Sequence, residues 1–156
     1  MKGDGNCGYR VLSYQLYDGN QSEYLRVKTL MKNFFFENIN IYFLLRSFFD
    51  VKRCASILES NEGITQWFNA PECAQLAACK FSKPIAVYDD NNNAITFLPF
   101  IKNLVPNTAN KQGKRSKVPL LMQNINRNHW LTVDLKRPVA TNQWSPKRLL
   151  TDDTRR

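Results

Sequence analysis

The 156-residue sequence has a single histidine, His129, and only four cysteines, Cys7, Cys54, Cys73 and Cys79, no two of them spaced as Cys-x-x-Cys. Structural zinc needs several such ligands at short fixed spacings, and the histidine lies far beyond the last cysteine, so neither metal nor cofactor is expected. No apolar run reaches the length of a bilayer span, the nearest being Ile39 to Phe49. Nothing resembles a secretory leader, a small disulfide-stapled scaffold, an internal repeat or a low-complexity tract. These absences lead us to expect a soluble protein with reduced thiols, cytoplasmic or nuclear and not associated with membrane. Glycine is also sparse, with six residues, yet three of them fall at positions 3, 5 and 8.

The length suits one domain with one core. A hydrophobic content of 43% with 12% aromatic residues excludes a disordered chain. The net charge of +9 is unevenly placed: residues 1–100 carry 10 Lys/Arg against 10 Asp/Glu, whereas residues 101–156 carry 12 against 3. Such a basic second half attracts nucleic acid or acidic protein faces, or is a solvated surface.

The stretch Gly3-Asp4-Gly5-Asn6-Cys7-Gly8-Tyr9-Arg10 organises the rest. Val11, Leu12 and Leu16 follow it at helical spacing until Asp18-Gly19, so Cys7 is expected to open a helix. A thiol placed there sees orphan N–H groups and the positive end of the helix dipole, both of which favour the thiolate. The alternative is a small buried side chain beside a glycine turn. Arg10, one turn further, would anchor the loop acid or be solvated. Because the motif begins so close to residue 1, a fragment or domain of a longer protein is expected.

Further along, Ser22 reads as a helix cap with Glu23 in the first turn. Val27, Leu30, Met31 and Phe34, then Ile41, Leu44, Leu45 and Phe48, recur at i, i+3, i+4, i+7 as core stripes on either side of Glu37-Asn38. A short helix is expected between Val51 and Gly63, and another from Asn69 or Ala70, with Pro71 in its first turn, to about Lys80, facing Cys73, Leu76 and Ala77 inward. Pro84–Tyr88 and Ala94–Phe100 read as a hairpin, Ile101–Lys117 as a long basic loop, Val118–Met122 as a third strand and His129–Leu135 as a fourth, with Gln123–Asn128 connecting them. Helices precede strands, an α+β order.

A thiol nucleophile needs a base, and histidine is the usual one. Pairing Cys7 at a helix start with a distant histidine at a strand start is the arrangement expected of papain-like proteases. Asp4-Gly5-Asn6-Cys7-Gly8-Tyr9-Arg10 resembles the D-G-N-C-x-[FY]-R motif of the ovarian tumour (OTU) family of deubiquitinating cysteine proteases. Trp67 to Tyr88 is similar to the middle of that domain, and Asn128-His129-Trp130 resembles its His-aromatic pair, so the resemblance spans Gly3 to about Leu135. It implies a papain-like OTU fold with a small, mostly antiparallel sheet packed between helices, over residues 1–138, followed by a basic tail at 139–156.

The resemblance further implies Cys7 as nucleophile, His129 as general base, and the backbone of Asp4, Gly5, Asn6 and Cys7 as oxyanion hole, with Asp4 holding the loop. In the family an Asp or Asn commonly stands two residues after the histidine, where this chain has Leu131. The candidates for orienting the ring are therefore Asn142, Asp134, Asn128 or an acid upstream of Gly3. The expected activity is hydrolysis of isopeptide or peptide bonds at the C-terminus of ubiquitin or a ubiquitin-like protein by a monomer. The alternative is a weak or inactive OTU-derived module that binds ubiquitin or, through the basic half, nucleic acid.

Overall fold

The computed structural model describes residues 4–60, 67–100 and 118–133. Helix α1 (Cys7–Leu16) is followed by a 3-10 turn, Gln21–Glu23, and by α2 (Tyr24–Glu37), α3 (Ile39–Leu44), α4 (Val51–Glu59) and α5 (Glu72–Phe81); strands β1 (Ile85–Tyr88), β2 (Ala94–Phe97), β3 (Leu120–Ile125) and β4 (His129–Thr132) complete it. The architecture is α+β with a mixed four-stranded sheet in the order β2-β1-β3-β4. The two hairpins, β1–β2 and β3–β4, are antiparallel, while β1 and β3 at the centre run parallel. A parallel pair needs a crossover, and the chain between β1 and β3 supplies one.

Several local expectations shift. Asn20, not Ser22, provides the cap before α2: its side chain accepts from Ser22 N at 2.8 Å and sets the 3-10 turn. The core stripe of α2 is Val27, Met31 and Phe35, one position beyond the expected Phe34, because spacings of i+4 and i+3 both fit a helix face. Helix α2 stops at Glu37, where Asn38 caps it and starts α3, so the phase restarts. Tyr42 and Phe49 then go inside and Leu44 is left 80% exposed. Phe35, Tyr42 and Phe49 form one aromatic nucleus, with ring centroids 5.4 Å apart for Phe35–Tyr42 and 4.6 Å for Tyr42–Phe49.

Asp50 caps α4 by accepting from Arg53 N at 2.9 Å. The helix ends at Glu59; the expected stop at Asn61–Gly63 lies outside the described residues. Pro71 precedes α5, while the cap hydrogen bond comes from Asn69, whose Oδ1 accepts from Cys73 N at 3.2 Å. Cys73, Leu76 and Ala77 are fully buried. Strand β3 continues to Ile125 through residues expected in the connection, because Gln123, Asn124 and Ile125 pair with Leu131, Trp130 and His129. The loop 101–117 and the tail 139–156 lie outside the described residues. Among the described residues no helix is long and apolar enough to cross a membrane.

Candidate active site

Cys7 is the first residue of α1 and is 2% exposed, with Asn6 before it as the capping residue. The loop that delivers it is shaped by two glycines. Gly5 has φ +79°, and a Cβ there would stand 2.6 Å from the Trp67 ring; a Cβ on Gly8 would stand 2.4 Å from Phe68. Only glycine lets the Cys7 loop lie this close to the segment before α5.

Asp4 closes the loop from the other side. Its Oδ1 accepts from Asn6 N at 3.0 Å and its Oδ2 accepts from Arg10 Nη2 at 2.6 Å. The Arg10 side chain is only 13% exposed, and its guanidinium lies 3.7 Å above the Tyr24 ring, so Arg10 anchors the loop and is not solvated. Partial burial would raise the pKa of Asp4, but the hydrogen bonds from Arg10 and Asn6 outweigh it and hold the carboxyl below its usual value. The Asn6 N–H is committed to Asp4. Of the expected oxyanion donors, the N–H groups of Asp4, Gly5 and Cys7 are the ones that this bond leaves open.

The other half comes from the sheet. Residues Asn126 and Arg127 both adopt positive φ, +52° and +62°, and Asn128 N donates to Ile125 O at 3.2 Å, so the chain reverses tightly and enters β4 at His129. Asp90, in the β1–β2 turn, accepts from Asn126 N at 3.1 Å and ties the two turns together. His129 is half-buried, while the next side chain, Trp130, is 2% exposed and donates from Nε1 to Phe68 O at 2.9 Å.

The fold brings the two halves to one end. Helix α1 packs along β4. Near its C-terminal end, Gln15 clasps β3: Nε2 donates to Leu121 O at 2.9 Å, and Oε1 accepts from Leu121 N at 2.8 Å. From Leu121 to Ile125, which pairs with His129, the strand advances about 13 Å at ~3.3 Å per residue. From Gln15 back to Cys7 the helix spans about 12 Å at 1.5 Å per residue. The two lengths match, so a helix pinned at Leu121 is long enough to reach the level where β4 begins. A chain of rings bridges them: Tyr9 to Phe68 and Phe68 to Trp130, each with centroids 5.2 Å apart.

Asp4, Gly5, Asn6 and Cys7 thus form one loop, and the rings of Tyr9, Phe68 and Trp130 link its helix to the strand that His129 opens. Asn128 is exposed in the turn before His129, and Leu131 is half-buried. Asn142 and Asp134 lie outside the described residues. The other cysteines are all buried and free. Burial pushes the Cys73 thiol up to about 11, in spite of hydrogen bonds from Asn69 and Tyr9, and raises Cys54 further. Neither is suited to nucleophilic work.

Four contacts were not expected from the sequence: Tyr24 under Arg10, Gln15 on β3, Asp90 on the β3–β4 turn, and the Trp67-Phe68 pair over the glycines. Only the last had a signal. Bulky aromatics in a chain with glycines clustered elsewhere mark a close approach.

No protein-family model matches the sequence, and no curated protein does. Solved structures do match the fold. The viral OTU domain protease from Dera Ghazi Khan virus superposes with a TM-score of 0.55 at 15% identity, over 85% of this chain and 79% of its own. The viral OTU domain protease from Qalyub virus gives 0.54 at 15% identity, over 83% and 78%. The chain therefore has the OTU fold.

Proposed function

We propose that this chain is a cysteine hydrolase of OTU type that cleaves the isopeptide or peptide bond at the C-terminus of ubiquitin or a ubiquitin-like protein. The observation that supports the reading is the packing of α1, which opens on Cys7, against β4, which opens on His129. His129 takes the thiol proton, and the Cys7 sulfur attacks the carbonyl carbon after the modifier's terminal glycine. The resulting oxyanion is met by the N–H groups left open in the Asp4 to Cys7 backbone, at the positive end of α1. His129 then gives its proton to the leaving lysine amine, and the C–N bond breaks to leave a thioester. Water, deprotonated by His129, hydrolyses the thioester and returns the proton to sulfur.

Leu131 cannot hydrogen-bond the imidazole, so the ring is oriented by Asn128, Asp134, Asn142 or an upstream acid, or else the enzyme works as a dyad. That apolar residue is also what favours the second reading, a weakly active or inactive module that binds ubiquitin or, through its basic half, nucleic acid. Reduced thiol chemistry of this kind belongs in the cytoplasm or nucleus.

Hydrolysis of a fluorogenic ubiquitin C-terminal amide separates the readings. Cys7→Ala abolishes turnover, and His129→Ala lowers kcat by about a hundred- to ten-thousand-fold. Single substitutions of Asn128, Asp134 and Asn142 by Ala identify the orienting residue as the one that lowers kcat. No turnover by the folded wild-type chain assigns the fold to binding.

A further inference from the structure

Beside the candidate active site lies a groove of about 490 Å3, within the ~300–1,000 Å3 common for ligand sites. Its lining reaches each half through a neighbouring residue and not through Cys7 or His129 themselves. Trp67, which covers Gly5, forms one wall, and Trp130, which follows His129, lines it with the buried Phe68. Arg53 of α4 and Arg127 of the β3–β4 turn also line it, and both are exposed. Among the described residues, the ion pairs are Arg10–Asp4 and Arg26–Glu23, so neither groove arginine meets a carboxylate. Three acids near the lining have other hydrogen-bond partners: Asp50 accepts from the Arg53 backbone, Asp90 from Asn126 N, and Glu72 from Asp50 N and Asn69 Nδ2.

Arg127 occupies its place at a cost. A residue with a Cβ at φ +62° is disfavoured, and glycine or asparagine is the ordinary choice there. Asp90 holds the turn in that shape, and the outcome is a guanidinium at the groove. Two guanidinium forks with no carboxylate partner among the described residues, across an aromatic-lined trough, suit carboxylates, which they bind through paired N–H donors. A nucleic acid would instead call for a longer track of cations with stacked, open aromatic faces, whereas Phe68 and Trp130 are buried edge-on against each other.

We infer that this groove binds an acidic, extended segment of the substrate protein beside the scissile bond, with Arg53 and Arg127 pairing its carboxylates. The inference rests on the proposed hydrolase reading for the word substrate, and on the groove alone for the acidic segment.

The test is fluorescence polarisation of a fluorescein-labelled peptide of alternating glutamate and leucine, added to the full chain carrying Cys7→Ala. Arg53→Glu/Arg127→Glu weakens binding at least ten-fold, whereas Lys32→Glu/Lys83→Glu, with the same change in net charge, weakens it less than two-fold. Arg127→Gly relaxes the turn, so it weakens binding several-fold without lowering the melting temperature. A merely structural Arg127 would leave affinity unchanged. Equal loss in both double variants reduces the effect to net charge and overturns the proposal. So does tighter, Arg53- and Arg127-dependent binding of a single-stranded oligonucleotide. Peptide binding without ubiquitin-amide hydrolysis overturns only the hydrolase reading; hydrolysis without peptide binding overturns only this one.

Discussion

Gly5 and Gly8 are where the candidate site tolerates least change. Replacing Gly8 with Ala drives a methyl into Phe68, a buried ring that packs against both Tyr9 and Trp130. The variant should lose about 1–3 kcal/mol of stability by overpacking, read from denaturant unfolding. Gly5→Ala adds the penalty of positive φ to its clash with Trp67, and is expected to cost more than Gly8→Ala. Asp4 gives a pH dependence of known sign. Its folded pKa is lower than the ordinary 3.8, so it stabilises the loop above that pH, and the contribution disappears as pH falls through the lowered value. Asp4→Asn should therefore be less stable than wild type at pH 6, and the difference should vanish as the pH is taken below the lowered pKa. Equal stability of the two proteins at pH 6 would remove the loop-holding role.

At the scale of elements, α1 is held at both ends, by the Asp4–Arg10 loop and by the Gln15 clasp. Gln15→Leu leaves the N–H and C=O of Leu121 without their partners, at a cost of about 1–3 kcal/mol. Because the clasp sets where the far end of α1 lies, kcat should fall while KM changes little. A change confined to KM would mean the clasp serves only stability. Which elements exist was legible wherever punctuation was strong. Asp18-Gly19 closes the first helical turn region, Pro84 and the Asp89–Asn93 turn bracket β1, and Pro71 precedes α5. Phase was harder to read, because three consecutive phenylalanines satisfy any helical stripe. Phe35 won the core position through Tyr42 and Phe49, which lie beyond the end of its own helix. The end of β3 was hidden for a similar reason. Gln123 and Asn124 are polar, yet a partner strand satisfies their backbone regardless of side chain.

For the whole molecule, the OTU fold is kept at 15% identity to the viral OTU domain proteases, over more than four-fifths of this chain. The motif from Asp4 to Arg10 made the first half of the site readable. Tyr24, Gln15 and Asp90 are tied to it only through the folded chain, so no spacing rule could have found them. The central claim, that Cys7 is the reactive nucleophile for a ubiquitin-type C-terminus, is tested most directly by incubating the folded protein with a ubiquitin bearing a C-terminal electrophile and mapping the adduct by mass spectrometry. A single adduct forms on Cys7, is absent in Cys7→Ala and forms far more slowly in His129→Ala. An unlabelled protein, or an adduct on Cys54, Cys73 or Cys79, would contradict it.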